Sequence, residues 1–291
     1  MSTPTRLAPL THPGPAVAPR IASVETGVVV ERVSLAPGRR LVDAIDDELV
    51  RLGLDSAQVD LVGGPLARVS YCFPAVSPDG STAAWYSDTH EAATPAELVR
   101  GSATVGRRDG ERFMHCHAAW FDRSGRLRGG HLWPDTAVGA TPLEVVVHAF
   151  DAVDLTSGTD DETRMPVFTP RAAAVRPPAV ARRRAVMSRV RPGIELHDAI
   201  HEVMAVAGFD RAGVRGSLGS LVGATLEGPD GVVVSDGPAT EVALSGHVSG
   251  GDAHLGAVVV DRHGEVAMGE LTEVGNLVAI TFELLVEEIV A

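Results

Sequence analysis

Residues 35–45 read LAPGRRLVDAI and residues 190–200 read VRPGIELHDAI. Pro37-Gly38 matches Pro192-Gly193, and Leu41, Asp43, Ala44 and Ile45 match Leu196, Asp198, Ala199 and Ile200. The same offset aligns Val59, Gly64 and Leu66 with Val214, Gly219 and Leu221. Further on, WFDRSGRLRGGHL (120–132) matches VVDRHGEVAMGEL (259–271), at a smaller offset. Three blocks in one order identify an internal duplication, so the chain must fold as two copies of one unit. The first copy carries extra residues between about Pro74 and Arg112.

Each copy opens with a short strand (about 27–34 and 184–191) and a Pro-Gly turn. Leu41, Ile45, Leu49 and Leu52, and Leu196, Ile200 and Val203, then recur at helical spacing. Val-, Leu- and Ala-rich strands follow, with an Asp-Arg-x-Gly hairpin turn. The apolar runs Val145–Phe150 and Val278–Leu284 read as buried strands. The expected fold is α+β, two tandem units each with a mainly antiparallel sheet and one packed helix. The expected boundaries are a flexible leader over 1–24, a first domain over 25–152, a Pro/Arg-rich linker over 153–183 and a second domain over 184–291. The linker holds Pro166, Pro170, Pro177 and Pro178, then Arg182-Arg183-Arg184, a run that reads as a solvated linker or strand edge, with phosphate binding as the alternative.

Composition narrows the chemistry. All 25 basic residues are Arg. Without Lys there is no Walker loop and no pyridoxal phosphate Schiff base, and no Gly-x-Gly-x-x-Gly follows a strand, so no nucleotide cofactor is expected. A net charge of −13 disfavours nucleic acid as a partner. The two cysteines, Cys72 and Cys116, cannot frame a disulfide scaffold and fit a reducing cytoplasm. No apolar stretch is long enough to span a bilayer, and the proline-rich start lacks the pattern of a signal peptide.

Residues 113–121 read FMHCHAAWF. Strand alternation puts His115 and His117 on one face and Met114, Cys116 and Trp120 on the other. His131 follows Gly129-Gly130 on the partner strand. Counting from the turn places it beside His115 rather than opposite His117. Three imidazoles suit zinc, iron, copper or nickel, zinc first, and leave a coordination position for water or substrate. The plain alternative is a set of half-buried polar residues. In the second copy His254, Gly256 and Glu270 take the places of His115, His117 and His131. That set is broken; it is either scaffold or a source of an acid or base, His254 or Glu270, for a shared site. The segment Gly216-Ser217-Leu218-Gly219-Ser220 reads either as a tight turn or as a substrate-binding loop built on Gly216, Ser217, Gly219 and Ser220. Gly63-Gly64-Pro65 in the first copy lacks the serines. The remaining histidines are expected to be surface or core residues.

The Pro-Gly pairs, AGVRGSLGSLVGATL (212–226) and HCHAAWFDRSGRLRGGHL (115–132) together resemble the plants and prokaryotes conserved domain, over roughly 25–152 and 184–290. The resemblance implies a homotrimer-forming α+β fold and, in some prokaryotic members, a metal on the three histidines. The Arg-Gly-Arg-Pro hook that reads A·T minor grooves in plant relatives is missing here. Two functions follow as expectations. One is a metal-dependent enzyme acting on a small polar metabolite by lyase, isomerase or hydrolase chemistry. The other is a DNA-associated or regulatory oligomeric binding module without catalysis.

Overall fold

The computed structural model describes residues 7–176, 182–228 and 231–290. Pro177 and Pro178 of the expected linker lie outside them. The longer elements of the first copy are β1 (Ile21–Leu35), α1 (Leu41–Leu52), β2 (Ala57–Arg68), β3 (Ala96–Arg108), β4 (Glu111–Phe121), β5 (Leu127–Leu132) and β6 (Leu143–Phe150). A hairpin of β7 (Val153–Thr159) and β8 (Pro166–Ala172) follows. The second copy contains β9 (Arg183–Val190), α2 (Leu196–Ala207), β10 (Arg211–Leu221), β11 (Ala224–Gly228), β12 (Gly231–Ser235), β13 (Thr240–Ser249), β14 (Asp252–Val260), β15 (Val266–Leu271) and β16 (Val278–Glu288).

The duplication is reproduced strand by strand. The first copy runs β1-β6-β2-β3-β4-β5, all antiparallel. The second runs β9-β16-β10-β13-β14-β15 in the same way. Strand β1 is the seam: Val28–Leu35 pair with β6, while Ile21–Val28 pair with β9. One hydrogen-bonded sheet therefore passes from copy to copy.

Helix α1 buries Leu41, Ile45 and Leu49 at the spacing read from the sequence and ends on Gly53, whose φ of 70° only glycine takes without strain. Helix α2 ends the same way on Gly208. Each helix covers one face of its own sheet. The first core joins Leu41, Ile45 and Leu49 to Met114, Cys116 and Trp120; the second joins Leu196 and Ile200 to Val214, Val242 and Leu284. Cys116 is thus a packing residue on the helix side of β4, as strand alternation requires.

The opposite faces of the two sheets meet each other. Ala119 of β4 packs with Ala243 and Val258. Strand β10 bulges between Val214 and Ser217. There Gly216, at φ +48°, sits so close that a Cβ would fall 2.8 Å from the Val59 nitrogen, and its N–H donates to Asp60 Oδ1 at 3.0 Å. The copies are further joined by buried His148, whose Nε2 is 3.0 Å from Asp60 Oδ2 and whose Nδ1 is 3.5 Å from Glu287 of the other copy. Arg183 holds the second Glu287 oxygen at 2.8 Å.

The span 153–183, expected as a linker, contains structure. Strands β7 and β8 form a hairpin, and β7 pairs with the end of β3. Asp160 caps the hairpin tip by accepting from the Glu162 and Thr163 N–H groups and binds Arg189 and Arg191 at 2.8 and 3.1 Å. The leader also has a place. Leu7 and Leu10 pack with Met165, Val222 and Ile280, and Arg20 pairs with Glu162 at 2.6 Å. The arginine run is spent on ion pairs: Arg182 with Asp151, Arg183 with Glu287 and Arg184 with Glu288. No helix among the described residues is long and apolar enough to cross a membrane.

Candidate metal centre between the two copies

The hairpin β4–β5 sets the histidines. Asp122 N–H donates to the Arg126 carbonyl and Gly125 takes φ +77°, which makes a three-residue loop. Register then pairs Phe121 with Leu127 and His117 with His131. The expectation that His131 stands beside His115 is corrected. The loop closes on the 122–126 pair, which sets His131 opposite His117, two positions along β4 from His115 and on the same face.

His115, His117 and His131 project from the face of the first sheet that meets the second copy. Their ring centres lie 4.5, 5.1 and 5.4 Å apart. The second copy adds carboxylates. Glu241 of β13 puts Oε2 2.5 Å from His117 Nε2, and Glu283 of β16 puts Oε2 2.8 Å from His115 Nδ1. One ligand atom each from His115, His117, His131 and Glu241 falls within 4.8 Å of the others.

The orientation of the rings is fixed from behind. His117 Nδ1 lies 3.1 Å from the Val242 carbonyl, to which it donates, and His115 Nδ1 donates to Glu283. Both Nε2 atoms are then left as acceptors, yet they face each other at 3.0 Å. Two lone pairs that close repel unless a proton or a metal ion lies between them. Tetrahedral zinc with bonds of about 2.0–2.1 Å would hold its ligands about 3.3 Å apart; the two Nε2 atoms at 3.0 Å are near that spacing, while Glu241 Oε2, 2.5 Å from His117 Nε2, stands at hydrogen-bond distance. The carboxylate and the carbonyl behind the imidazoles are the partners that metal-bound histidines ordinarily have. Burial opposes a proton on His115, but Glu283 and Glu241 outweigh it and raise its pKa. Burial, then the neighbouring His115 and His117, drive that of His131 well below the ordinary range.

A small cavity of about 50 Å³ opens on the cluster, with Tyr86, Met165, Pro166, Gly219, Ser220 and Glu241 in its wall. The extra residues of the first copy form part of that wall. Tyr86 lies edge-on to His131 at 5.5 Å, and Trp133 packs on His131 at 4.8 Å.

The remaining expected site residues scatter. His254 and Glu270 pair with each other at 2.7 Å on the surface, 59% and 43% exposed, and neither lines this cavity. Their position away from the cavity does not support the expected role of acid or base there; the carboxylates beside the histidines are Glu241 and Glu283. Gly216, Ser217, Gly219 and Ser220 belong to β10 and not to a loop or tight turn. Gly216 packs on Val59, while buried Ser217 accepts from the Leu285 N–H. Only Gly219 and Ser220 reach the cavity wall, and Ser220 Oγ accepts from the Ile280 N–H. Sequence reasoning missed Glu241 and Glu283. The available signal was a carboxylate inside an apolar run, as in the buried ITFELLV of 280–286.

A family model described as the Plants and Prokaryotes Conserved (PCC) domain matches residues 24–151 and again 179–290. Similar solved structures include a metal-containing protein from Archaeoglobus fulgidus, 21% identical, covering 48% of this chain and 93% of its own at a TM-score of 0.40. A plant- and prokaryote-conserved protein from Pyrococcus horikoshii is 18% identical, covering 50% and 94% at 0.39. A candidate DNA-binding protein from Ralstonia eutropha JMP134 is 17% identical, covering 47% and 89% at 0.40. No curated protein gave a match.

Proposed function

This chain belongs to the Plants and Prokaryotes Conserved domain family, in two copies, and from that premise we propose that it is a metal-dependent enzyme with one centre built between its copies. His115, His117, His131 and Glu241 hold a divalent transition metal, zinc first. The observation that carries the reading is the convergence of these four donors, two Nε2 atoms meeting at 3.0 Å, on a small cavity of about 50 Å³. A bound ion would polarise a substrate oxygen or lower the pKa of a water. The chain's own groups do the rest. Glu283 orients His115, the Val242 carbonyl orients His117, and Tyr86, Met165 and Pro166 limit the approach of water. The substrate is a small polar metabolite, and the chemistry is of the lyase, isomerase or hydrolase kind.

A regulatory or DNA-associated module without catalysis is the other reading. Its chief support in the sequence, the arginine run at 182–184, is tied up in carboxylate pairs. The homotrimer implied by the family resemblance belongs to the proposal as well, and light scattering reads it.

Elemental analysis of the purified protein beside the double variant His115→Ala, His117→Ala tests the centre. About one transition metal per chain in the native protein and almost none in the variant is the expected result. No metal in either after reconstitution removes the enzyme reading and leaves an oligomeric binding module.

A further inference from the structure

A second space of about 370 Å³ shares His115, His131 and Tyr86 with the cavity on the cluster, and its wall includes Arg108, Phe113, Trp133, Thr159, Arg164 and Glu283. Arg108 stands half-buried at the end of β3, its guanidinium 5.2 Å from the centre of the Phe113 ring. Among the described residues it has no carboxylate within ion-pair distance. Its neighbours are treated differently. Arg107 pairs with Asp55, Arg112 with Asp46, and Arg189 and Arg191 with Asp160. Half-buried Arg100 and Arg215 also lack a carboxylate but bond Ser245 and the Gly246 carbonyl, whereas the Arg108 guanidinium has no hydrogen-bond partner among the described residues. The carboxylate in the same wall, Glu283, is committed to His115 at 2.8 Å.

Charge points the same way. A divalent ion on the histidines is balanced by Glu241 and Glu283, which leaves the Arg108 charge over. Arg164, 53% exposed and 3.8 Å from Asp161, adds positive charge at the rim.

We propose that Arg108 receives a carboxylate at the far end of the substrate while the near end meets the metal cluster. This rests on the metal-centre reading above and narrows its substrate to a small carboxylic acid. The guanidinium supplies a planar pair of donors for a carboxylate. The Phe113 face holds that plane in position by the attraction of a cation to a ring.

The test uses cobalt-substituted full-length protein, whose visible spectrum reports ligands that reach the metal. Acetohydroxamate is titrated beside the monohydroxamates of malonic, succinic and glutaric acid. All four share one metal-binding head, and three carry a carboxylate tail of graded length. At least one tailed probe is expected to bind about 10-fold or more tightly than acetohydroxamate. That preference disappears in Arg108→Met and Arg108→Gln, both retaining one cobalt per chain and the native far-ultraviolet spectrum, while Arg108→Lys keeps part of it. Cobalt uptake with no preference for any tailed probe, or a preference that survives in both variants, overturns this proposal alone. Failure to take up cobalt removes the metal-centre reading, and this proposal with it.

Discussion

The same hairpin stands twice in this molecule with different contents. In the first copy it carries His115, His117 and His131; at the matching register of the second it carries His254, Gly256 and Glu270. The backbone is conserved down to the turn, where Asp122 and Asp261 each accept two backbone N–H bonds and Gly125 and Gly264 each take positive φ. What differs is the material brought from across the interface. The first hairpin meets Glu241 and Glu283. At the second, a Cβ on Gly256 would lie 3.4 Å from Arg100 of the first copy, whose guanidinium bonds Ser245. An arginine thus stands against the place of the missing imidazole, and a cation there opposes metal binding. The comparison teaches that duplication frees one copy to become the wall of the other's site.

The largest expected break in this comparison comes from Glu241→Gln. Loss of the donor from the second copy should weaken metal binding more than about 100-fold, while Glu283→Gln, which acts only through His115, should cost about 10–100-fold. Competition with a chromophoric chelator measures both. If both variants bind as the native protein does, the second copy contributes nothing to the centre.

Next comes the seam between the sheets. Gly216→Ala places a methyl against the Val59 backbone at positive φ and should destabilise the protein by about 2–3 kcal/mol, read by urea unfolding. An unchanged midpoint would mean that the two sheets are not packed this closely.

A smaller effect belongs to the buried His148–Asp60–Glu287 group. Burial opposes the charge on His148, but Asp60 and Glu287 raise its pKa overall. Its stabilisation is therefore complete below the ordinary imidazole value of 6.5 and is lost as pH rises through the raised value. Burial likewise opposes the Glu287 carboxylate, but His148 and Arg183 hold its pKa below the usual range. That contribution is present above the ordinary carboxyl value and is lost as pH falls through the lowered one. Thermal unfolding across pH should show both limbs, and His148→Gln should flatten the alkaline one. A native profile with no alkaline decline would show that this group does not join the copies.

The smallest effect is expected where sequence reasoning had put an acid or base. His254→Ala and Glu270→Gln remove an exposed pair, so stability should move by less than about 1 kcal/mol and metal content not at all. Any loss of metal in these variants would place the second hairpin in the site after all.

The sequence by itself determined the duplication, the two helices, the turns and the three histidines of one face. Each of these is written in local periodicity: 3.6 for a helix, 2 for a strand, and an Asp and a Gly at fixed offsets for the hairpin. It also placed Cys116 on the core side, because alternation leaves no choice. Pairing of His117 with His131 was beyond its reach, since the closing pair of a loop depends on which backbone groups bond. Only the tertiary structure brought Glu241, Glu283 and Arg108 to the histidines. These residues lie up to 168 positions from His115, on strands whose own patterns say only that they are strands. The meeting of two sheets is decided by how whole faces pack, and no local spacing records it.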